Sequence, residues 1–387
     1  MRKTAFIIVV VAFVFAALCF FVVVPVANAL SFPDEIRITR YEYQNQIAIQ
    51  ERFITGRTNY CATVSDTEFK YIDLKLFGFI PIKRVKVEVM AIDELLAGGV
   101  PIGFVVKSQG VIVVEPAPRH GFVKGDIITH LNGEEIASIQ DFNNYVNALG
   151  GQQAINVKFI RGGRNMVATI NVNPDETKLG LWLKDESIGI GTLTYINPKN
   201  NNFAALAHQY TDYQTGADIM IRGGDVYRIN ILGIDKSKGR NVGKYNSTLR
   251  QGTDRKHGNL LSGNQCGVFG VLFEDSELLR ESMVKYPIAS RFSVKPGKAK
   301  LRTSIDGVSV QEYDIEIVKT NYQTKKDIKS MIVRITDREL FSKTGGIIHG
   351  MSGSPIIQNG KMVGALTHVI TSDTSKGYAI YIDFIVP

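Results

Sequence analysis

The stretch GMSGSPIIQNGKMVGALTHV, residues 350–369, decides the fold and the chemistry that the sequence predicts. Its second part predicts a β-hairpin, because apolar residues stand on both sides of Asn359-Gly360, a pair that two-residue hairpin turns favour. A hairpin does not require the six residues GMSGSP, 350–355, that precede it. Two glycines there allow a tight turn around Ser352, so the loop before the hairpin must have another purpose.

This loop resembles the nucleophile loop of chymotrypsin-like proteases, in which a Gly-x-Ser-Gly-x-Pro turn precedes a hairpin. On that resemblance Ser352 is the nucleophile, and the backbone N–H groups of Gly350 and Ser352 form the oxyanion hole. Ser354 is then a neighbour and not the nucleophile. The alternative is a glycine-rich turn with incidental serines, which the six-residue pattern and the following hairpin disfavour.

A serine nucleophile needs a base, and His208 is the favoured candidate. It stands in NNFAALAHQYTD, directly after the apolar residues 203–207, which predict a strand. His349 and His368 flank the serine loop and stay open as alternatives. His257 lies in a basic segment and is disfavoured.

Asp337 is the favoured third member, the group that orients the imidazole. It follows a predicted strand at 332–335 and precedes Ser352, which gives the order His, Asp, Ser. Asp212, four residues after His208, is the rival. Each aspartate also has a purely structural interpretation. Asp337 would be the N-cap of a short helix at 338–341, and Asp212 would be a turn residue.

Residues 94–172 resemble a PDZ domain of the bacterial protease type. The resemblance rests on an apolar-Gly-Phe sequence, on Gly125-Asp126 and Asn132-Gly133, on a predicted helix at 139–149 and on two strands around Gly162-Gly163. In such domains an apolar-Gly-apolar loop binds the C-terminal carboxylate of a peptide that adds a strand to the sheet edge. The resemblance gives this peptide-binding role to Ile102, Gly103 and Phe104.

The N-terminus predicts a membrane segment. Arg2 and Lys3 precede an apolar run at 5–24, about the ~20 residues that span a bilayer, which favours a cytoplasmic N-terminus and an exported remainder. Ala27-Asn28-Ala29 resembles a signal-peptidase site, so a cleaved signal and a retained anchor both stay open, with the length favouring an anchor.

The composition excludes several other classes of protein. The chain has 387 residues, of which 44% are hydrophobic, enough for two or three domains. Its net charge of +8 is compatible with nucleic acid or with anionic lipid, but no zinc spacing or RNA-binding signature is present, and an exported protein does not meet DNA. We therefore expect membrane association, no nucleic acid, no metal and no cofactor. The basic segment 235–264 is interpreted as a solvated loop or a long hairpin, with a phosphate- or lipid-facing role as the less favoured alternative. Cys61 and Cys266 are interpreted as two buried thiols, although sequence alone cannot decide whether they pair.

Five segments together resemble the SpoIVB peptidases, the stage IV sporulation proteins B of endospore-forming bacteria. In chain order they are LKLFGFIPIKRVKVEV (74–89), LGLWLKDESIGIGTLTYINP (179–198), FAALAHQYTD (203–212), NQCGVFG (264–270) and TGGIIHGMSGSPIIQNGKMVGALTHV (344–369). The resemblance places the catalytic triad on His208, Asp337 and Ser352. The sequence departs from the family at Ala207 and Gln209, where glycines are usual, and at Lys184, where arginine is common.

The resemblance implies a serine endopeptidase that is exported across the forespore membrane into the intermembrane space. There it cleaves itself and the exposed part of a membrane-bound regulator of an intramembrane protease, which leads to activation of a late mother-cell sigma factor. The alternative is an inactive paralogue that serves as a membrane-anchored PDZ scaffold.

The expected fold is mainly β, with four parts. They are a signal peptide or membrane anchor at 1–29, an N-terminal region at 30–90, a PDZ domain of α+β type at 91–173 and a chymotrypsin-like double β-barrel at 174–387.

Overall fold

A computed structural model describes residues 2–44, 50–51, 54–60, 70–149, 154–171, 177–249, 254–281, 284–321, 323 and 325–387. Cys61 lies outside these residues. The helices are α1 Arg2–Leu18, α2 Val24–Ser31, α3 Arg40–Gln44, α4 Ile139–Ala148, α5 Glu277–Glu281, α6 Arg338–Thr344 and α7 Ile382–Ile385, with a π-helical turn at Cys19–Val23 and 3₁₀ turns at Pro118–His120, Thr177–Gly180 and Arg291–Ser293.

The described strands fall into an N-terminal sheet, a large central sheet, a two-stranded ribbon and a closed barrel. In chain order they are β1 Glu35–Ile38, β2 Gln50–Glu51, β3 Ile54–Tyr60, β4 Lys70–Leu76, β5 Ile80–Val89, β6 Glu94–Ala97, β7 Pro101–Glu115, β8 Ile127–Leu131, β9 Glu134–Glu135, β10 Ala154–Arg161, β11 Arg164–Asn171, β12 Trp182–Ile196, β13 Asn202–Ala205, β14 Ile221–Arg228, β15 Asn230–Asp235, β16 Lys244–Thr248, β17 Lys256–Asn264, β18 Gly267–Leu272, β19 Lys285–Pro287, β20 Gly297–Thr303, β21 Gln311–Thr320, β22 Met331–Ile335, β23 Pro355–Gln358, β24 Lys361–Val369 and β25 Lys376–Tyr381.

One continuous apolar helix opens the chain. From Phe6 to Ser31 it is long and apolar enough to cross a membrane, and an 18-residue stretch of it has a mean hydropathy of 3.4 and no buried residue. A signal sequence would have the same length and composition, so the helix is compatible with either a signal or an anchor. At its end Ala29 is buried against the N-terminal sheet β1-β5-β4-β3-β2. Strands β4 and β5 of this sheet are joined by a tight turn in which Phe77 and Gly78 both have positive φ.

The first barrel closes through six antiparallel strands, in the order β7-β14-β17-β18-β13-β12 and back to β7. Alternate residues of these strands point inward, as the period of two requires, and fill the barrel with apolar side chains. These include Ile102, Phe104, Val106, Leu193, Phe203, Val226, Leu260 and Val268.

The predicted PDZ module is inserted into this barrel and does not simply precede it. It consists of the second half of β7, strands β8 to β11, helix α4 and the beginning of β12. The long strands β7 and β12 pair from Glu115 opposite Trp182 to Pro101 opposite Thr192. Each of these strands therefore runs through the PDZ module and continues into the barrel. The hairpin turn at Asn132-Gly133 and the helix at 139–149 are confirmed as predicted.

This arrangement contradicts the peptide-binding role predicted for Ile102, Gly103 and Phe104. Ile102 and Phe104 are fully buried in the barrel, within β7. Gly103 lies opposite Ile190 of β12 on one side and opposite Tyr227 of β14 on the other. Because β7 continues without a turn between two partner strands, the motif is neither a loop nor a free sheet edge.

The second barrel is closed by β20-β21-β22-β25-β24-β23, all antiparallel. Its last three strands include the hairpin that the opening stretch predicted, with Asn359 and Gly360 at positive φ in the turn. In the described part of the basic segment, β16 forms a long hairpin with β15, and β17 is a strand of the first barrel. The predicted mainly β fold with a double β-barrel is therefore confirmed, and each barrel has six strands. Strand β7 of the first barrel lies in the range predicted for the PDZ domain.

Candidate active site

The serine loop lies between the two barrels and is bound to strand β12. The N–H of Thr192 donates to the carbonyl of Ser352 at 2.8 Å, and the hydroxyl of Thr192 donates to the carbonyl of Gly350 at 2.7 Å. Gly350 and Gly353 have φ values of 102° and 99°, which an L side chain rarely adopts. The two glycines of the sequence pattern are thus required by the backbone.

The amides of this loop divide into two groups. The N–H groups of Met351, Gly353 and Ser354 donate to carbonyls within the fold. Within the described part of the chain, the N–H groups of Gly350 and Ser352 have no protein acceptor. These are the two amides that the sequence assigned to the oxyanion hole, and they are free to bind a substrate oxygen.

The two serines of the loop have different surroundings. Ser352 is partly exposed, and its hydroxyl donates to the carbonyl of Thr367 at 2.6 Å. Ser354 is fully buried, and its hydroxyl donates to the carbonyl of Met351 at 2.7 Å. Only Ser352 is placed where a substrate could reach it.

His208 follows strand β13 after a strained stretch of backbone. Leu206 and Ala207 have φ values of 72° and 58°, in the left-handed region that costs about 1 kcal/mol or more for each such residue. The Nδ1 atom of His208 lies 2.8 Å from the carbonyl of Gln209. The loop is thus held in a strained shape that presents this histidine.

The three histidines that the sequence proposed as bases lie together. The rings of His208 and His368 are 4.4 Å apart between centroids, at an angle of 38°. Burial, together with the neighbouring imidazoles of His368 and His349, lowers the pKa of His208 to about 4. His208 is therefore neutral at pH 7 and able to accept a proton.

Burial and two lysines lower the pKa values of His349 and His368. Burial and then Lys244 lower the pKa of His349, and burial followed by Lys329 lowers the pKa of His368. Lys244 lies beside His349 in a parallel β-bridge, and Lys329 is 5.1 Å from the ring of Tyr378. Positive charge around the serine loop favours a developing oxyanion.

The structure does not bring Asp337 to His208. Asp337 is the N-cap of α6: its Oδ1 accepts from the N–H of Leu340 at 2.9 Å, and its Oδ2 accepts from the N–H of Asp314 at 3.3 Å. No carboxylate hydrogen-bonds to His208 among the described residues. The helix-cap alternative is thus what the structure contains, while the catalytic role of Asp337 stays a prediction.

The rival carboxylate, Asp212, is also engaged elsewhere. It is 2% exposed, and its Oδ2 accepts from Nζ of Lys184 at 2.7 Å and from the hydroxyl of Ser187. Its Oδ1 accepts from the N–H and the hydroxyl of Thr215. Asp212 therefore holds the segment after His208 against strand β12.

Sequence reasoning missed the part that β12 plays in the site. Thr192, Ser187 and Lys184 all lie on this strand and contact the two candidate catalytic loops. A signal was present in SIGIGT, residues 187–192, because small residues at alternate positions of a strand leave room for another segment to lie on that face.

The thiol of Cys266 is a poor candidate for a nucleophile. It is buried, and burial raises its pKa above the ordinary value. In the described part of the chain, no group of histidine, cysteine and acidic residues has an arrangement that could hold a metal ion.

A family model described as SpoIVB peptidase S55 matches residues 175–386, which is more than half of the chain. The chain belongs to the SpoIVB peptidase S55 family. A second model, described as a PDZ domain, matches residues 96–172. The resemblance inferred from the five sequence segments is thereby confirmed, and this SpoIVB-family protein is a serine peptidase with a PDZ domain, of a family named for sporulation.

Other comparisons add little. Among solved structures, a PDZ domain of an SdrC-like protein from Listeria monocytogenes is 23% identical, and the match covers 20% of this chain and 90% of that one with a TM-score of 0.18. A search of curated proteins found no match. The two family models divide the chain near residue 174, whereas in the structure β7 and β12 belong to both units.

Proposed function

We propose that this SpoIVB-family peptidase is an exported endopeptidase of sporulation in which Ser352 is the nucleophile and His208 the general base. The observation that supports the proposal most directly is the arrangement of donor groups in the serine loop. It combines an accessible hydroxyl on Ser352 with two unpaired amides, those of Gly350 and Ser352. The sequence pattern of the S55 family and the neutral imidazole of His208 support the same assignment.

The reaction follows from these groups. The Ser352 hydroxyl leaves the Thr367 carbonyl, gives its proton to His208 and attacks the scissile carbonyl carbon. The free amides of Gly350 and Ser352 bind the resulting oxyanion. His208 then gives the proton to the leaving amine, and a water molecule hydrolyses the acyl-enzyme by the same steps in reverse.

The substrates that we propose are proteins at a membrane surface. They are the chain itself and the exposed part of a membrane-bound regulator of an intramembrane protease, cut in the intermembrane space of the forespore. The apolar helix from Phe6 to Ser31 supports a position at the membrane. Cleavage of the regulator would then lead to activation of a late mother-cell sigma factor.

Peptide capture by the PDZ domain needs an edge other than Ile102, Gly103 and Phe104. The beginning of β12 is the candidate: Trp182 is 66% exposed, and among the described strands its segment pairs only with β7. Helix α4 lies beside it, with the N–H of Ile139 donating to Asp185 at 2.8 Å. An extended peptide could add a strand between β12 and this helix.

The test is labelling of the protein with a fluorophosphonate, which reacts only with an activated serine. Ser352→Ala should abolish labelling, and His208→Ala should slow it strongly. Ser342→Ala and His130→Ala are matched controls outside the site and should label like wild type. Unchanged labelling of the Ser352→Ala variant would remove the proposed nucleophile.

A second candidate function is an inactive scaffold that keeps only the PDZ domain's binding. It is favoured by one observation: Ser352 and His208 bond to backbone carbonyls, and no carboxylate of the described residues reaches His208. Absence of labelling in a folded wild-type protein would support the scaffold, whereas Ser352-dependent labelling would reject it.

A further inference from the structure

The loop with the catalytic histidine lies along one face of β12, and small residues of the strand make room for it. Leu206 packs over Gly191, where an added Cβ would come within 2.7 Å of Leu206 Cδ1. Tyr210 lies over Gly189, where an added Cβ would come within 2.4 Å of ring carbon Cε2. On the same face the hydroxyls of Ser187 and Tyr210 are 2.9 Å apart. The loop is thus closely packed on this face of the strand.

The Lys184–Asp212 ion pair fastens the end of this loop to the strand. Burial alone would raise the pKa of Asp212, but hydrogen bonds from Lys184, Ser187 and Thr215 hold the pKa below its ordinary value. The carboxylate is therefore ionised at neutral pH, and both its oxygens are fully used. A buried charge with this many donors is costly to disturb, so it fixes geometry.

The serine loop is fixed to the same strand. Thr192 binds the carbonyls of Gly350 and Ser352, and its own carbonyl accepts from the N–H of Leu206 at 3.2 Å. One residue of β12 thus contacts both loops. The separation of the base and the nucleophile is set by this strand.

Lys184 stands where β12 passes from the PDZ domain into the barrel. Lys184 lies opposite Ile112 in the PDZ part of β7, whereas Glu186 lies opposite Lys107 in the barrel part. The register of the two strands shifts between Lys184 and Glu186. The ion pair is therefore located at the junction of the two units.

We propose that Asp212 is a positioning residue for catalysis, which with Lys184 holds the His208 loop on β12 at the junction with the PDZ domain. It acts through the loop and touches neither substrate nor the reacting atoms. The proposal rests on the function proposed above, since it takes His208 and Ser352 as the catalytic pair.

The experiment measures the fluorophosphonate labelling rate and the Tm of the full chain carrying Asp212→Asn, Lys184→Met or Lys184→Arg. Because a misplacement of about 1 Å can cost about 100-fold in rate, we expect Asp212→Asn and Lys184→Met to slow labelling about 10- to 100-fold. Lys184→Arg keeps the charge and should restore most of the rate. With a small ester as substrate, the loss should lie in kcat and not in KM.

Asp126→Asn is the matched control. Asp126 is fully buried and binds Arg161 at 2.7 Å, but this pair lies within the PDZ domain. Loss of the Asp126–Arg161 ion pair should lower Tm about as much as Asp212→Asn does and leave the labelling rate unchanged. An equal loss of rate in Asp126→Asn and Asp212→Asn would show that Asp212 acts only through general stability, and would overturn the proposal.

Gly189→Ala and Tyr210→Phe test the contact between the loop and β12 without changing a charge, and they serve if Asp212→Asn does not fold. The added methyl at Gly189 should displace the Tyr210 ring and slow labelling, whereas Tyr210→Phe removes only the bond to Ser187 and should have a smaller effect. Wild-type rates in both Gly189→Ala and Lys184→Met would also overturn the proposal. Failure of the proposed function would instead appear as wild-type protein that does not label, or as labelling that survives Ser352→Ala.

Discussion

At the scale of single residues, Asp337 has two roles to separate, because the sequence predicts a triad member and the structure places a helix cap. Asparagine caps a helix about as well as aspartate, but it carries no charge. We expect Asp337→Asn to lower Tm only slightly, through loss of the 3.3 Å bond from the Asp314 N–H, and Asp337→Ala to destabilise the protein by about 1 kcal/mol. Thermal unfolding of the two variants checks this.

The labelling rate of the same variants tests the catalytic role. A large loss of labelling rate in Asp337→Asn, with Tm nearly unchanged, would show that the charge is used in catalysis. If the labelling rate instead falls only in proportion to the loss of Tm in both variants, Asp337 is only the cap of α6.

The pKa of His208 gives a prediction about pH. Burial and the neighbouring imidazoles disfavour its protonated form and lower the pKa to about 4, from the ordinary value near 6.5. The base is then competent wherever the pH lies above about 4, so labelling should persist at pH 5 and decline only towards pH 4. Because the unfolded chain binds this proton near pH 6.5 and the folded chain only near pH 4, the fold is most stable above pH 6.5 with respect to this group and loses stability as the pH falls towards 4.

His368→Gln tests the cause of this shift. Removing the second imidazole should raise the pKa of His208 and move the acid limb of the labelling profile to higher pH. His130→Gln, in the PDZ domain, should leave the limb unchanged. A wild-type limb near pH 6.5 would contradict the low pKa.

At the scale of elements, the serine loop depends on a glycine that no other residue can replace. Gly350 has a φ of 102°, and an added Cβ would come within 2.3 Å of Tyr245 Cδ2. We expect Gly350→Ala to abolish labelling, because the loop must move and the free amides move with it. Gly233→Ala, where an added Cβ meets no atom within 4 Å, is the control for fluorophosphonate labelling and Tm. Labelling of Gly350→Ala at the wild-type rate would contradict this account of the loop.

Local elements were predictable from the sequence, and their distant partners were not. The turns at Asn132-Gly133 and Asn359-Gly360 and helix α4 follow from residues adjacent in the chain, so the sequence predicted them correctly. The misinterpreted stretch was Ile102 to Phe104. Its partners on β12 and β14 lie about 90 and 120 residues away, and no local pattern reports such a pairing.

The candidate site was predictable in part for the same reason. Ser352 and the amides of Gly350 and Ser352 belong to one short motif, and among the described residues these two amides have no protein acceptor. Their catalytic roles stay a prediction. The relation of His208 to a carboxylate depends on how two barrels pack. Among the described residues no carboxylate hydrogen-bonds to His208, Asp212 is bound to Lys184 of β12, and the catalytic role of Asp337 stays a prediction.

At the scale of the whole molecule, the PDZ domain is an insertion between two neighbouring strands of the first barrel. Lys107 and Glu186 are paired, and the hydroxyl of Ser108 contacts the carbonyl of Asp185, so the two ends of the insertion already lie together. Removing residues 109–184 and joining Ser108 to Asp185 through Asn-Gly would convert β7 and β12 into a hairpin. The barrel keeps all six strands in this variant.

We expect this shortened protein to fold, as judged by circular dichroism and size-exclusion chromatography. It should label at Ser352 at a reduced rate, because Asp212 loses Lys184. Deleting residues 96–172, the extent of the PDZ family match, instead removes the barrel half of β7, so the first barrel cannot close and the protein should not fold. If the second deletion folded and labelled while the first did not, the PDZ domain would be a separate unit and β7 would not belong to the barrel.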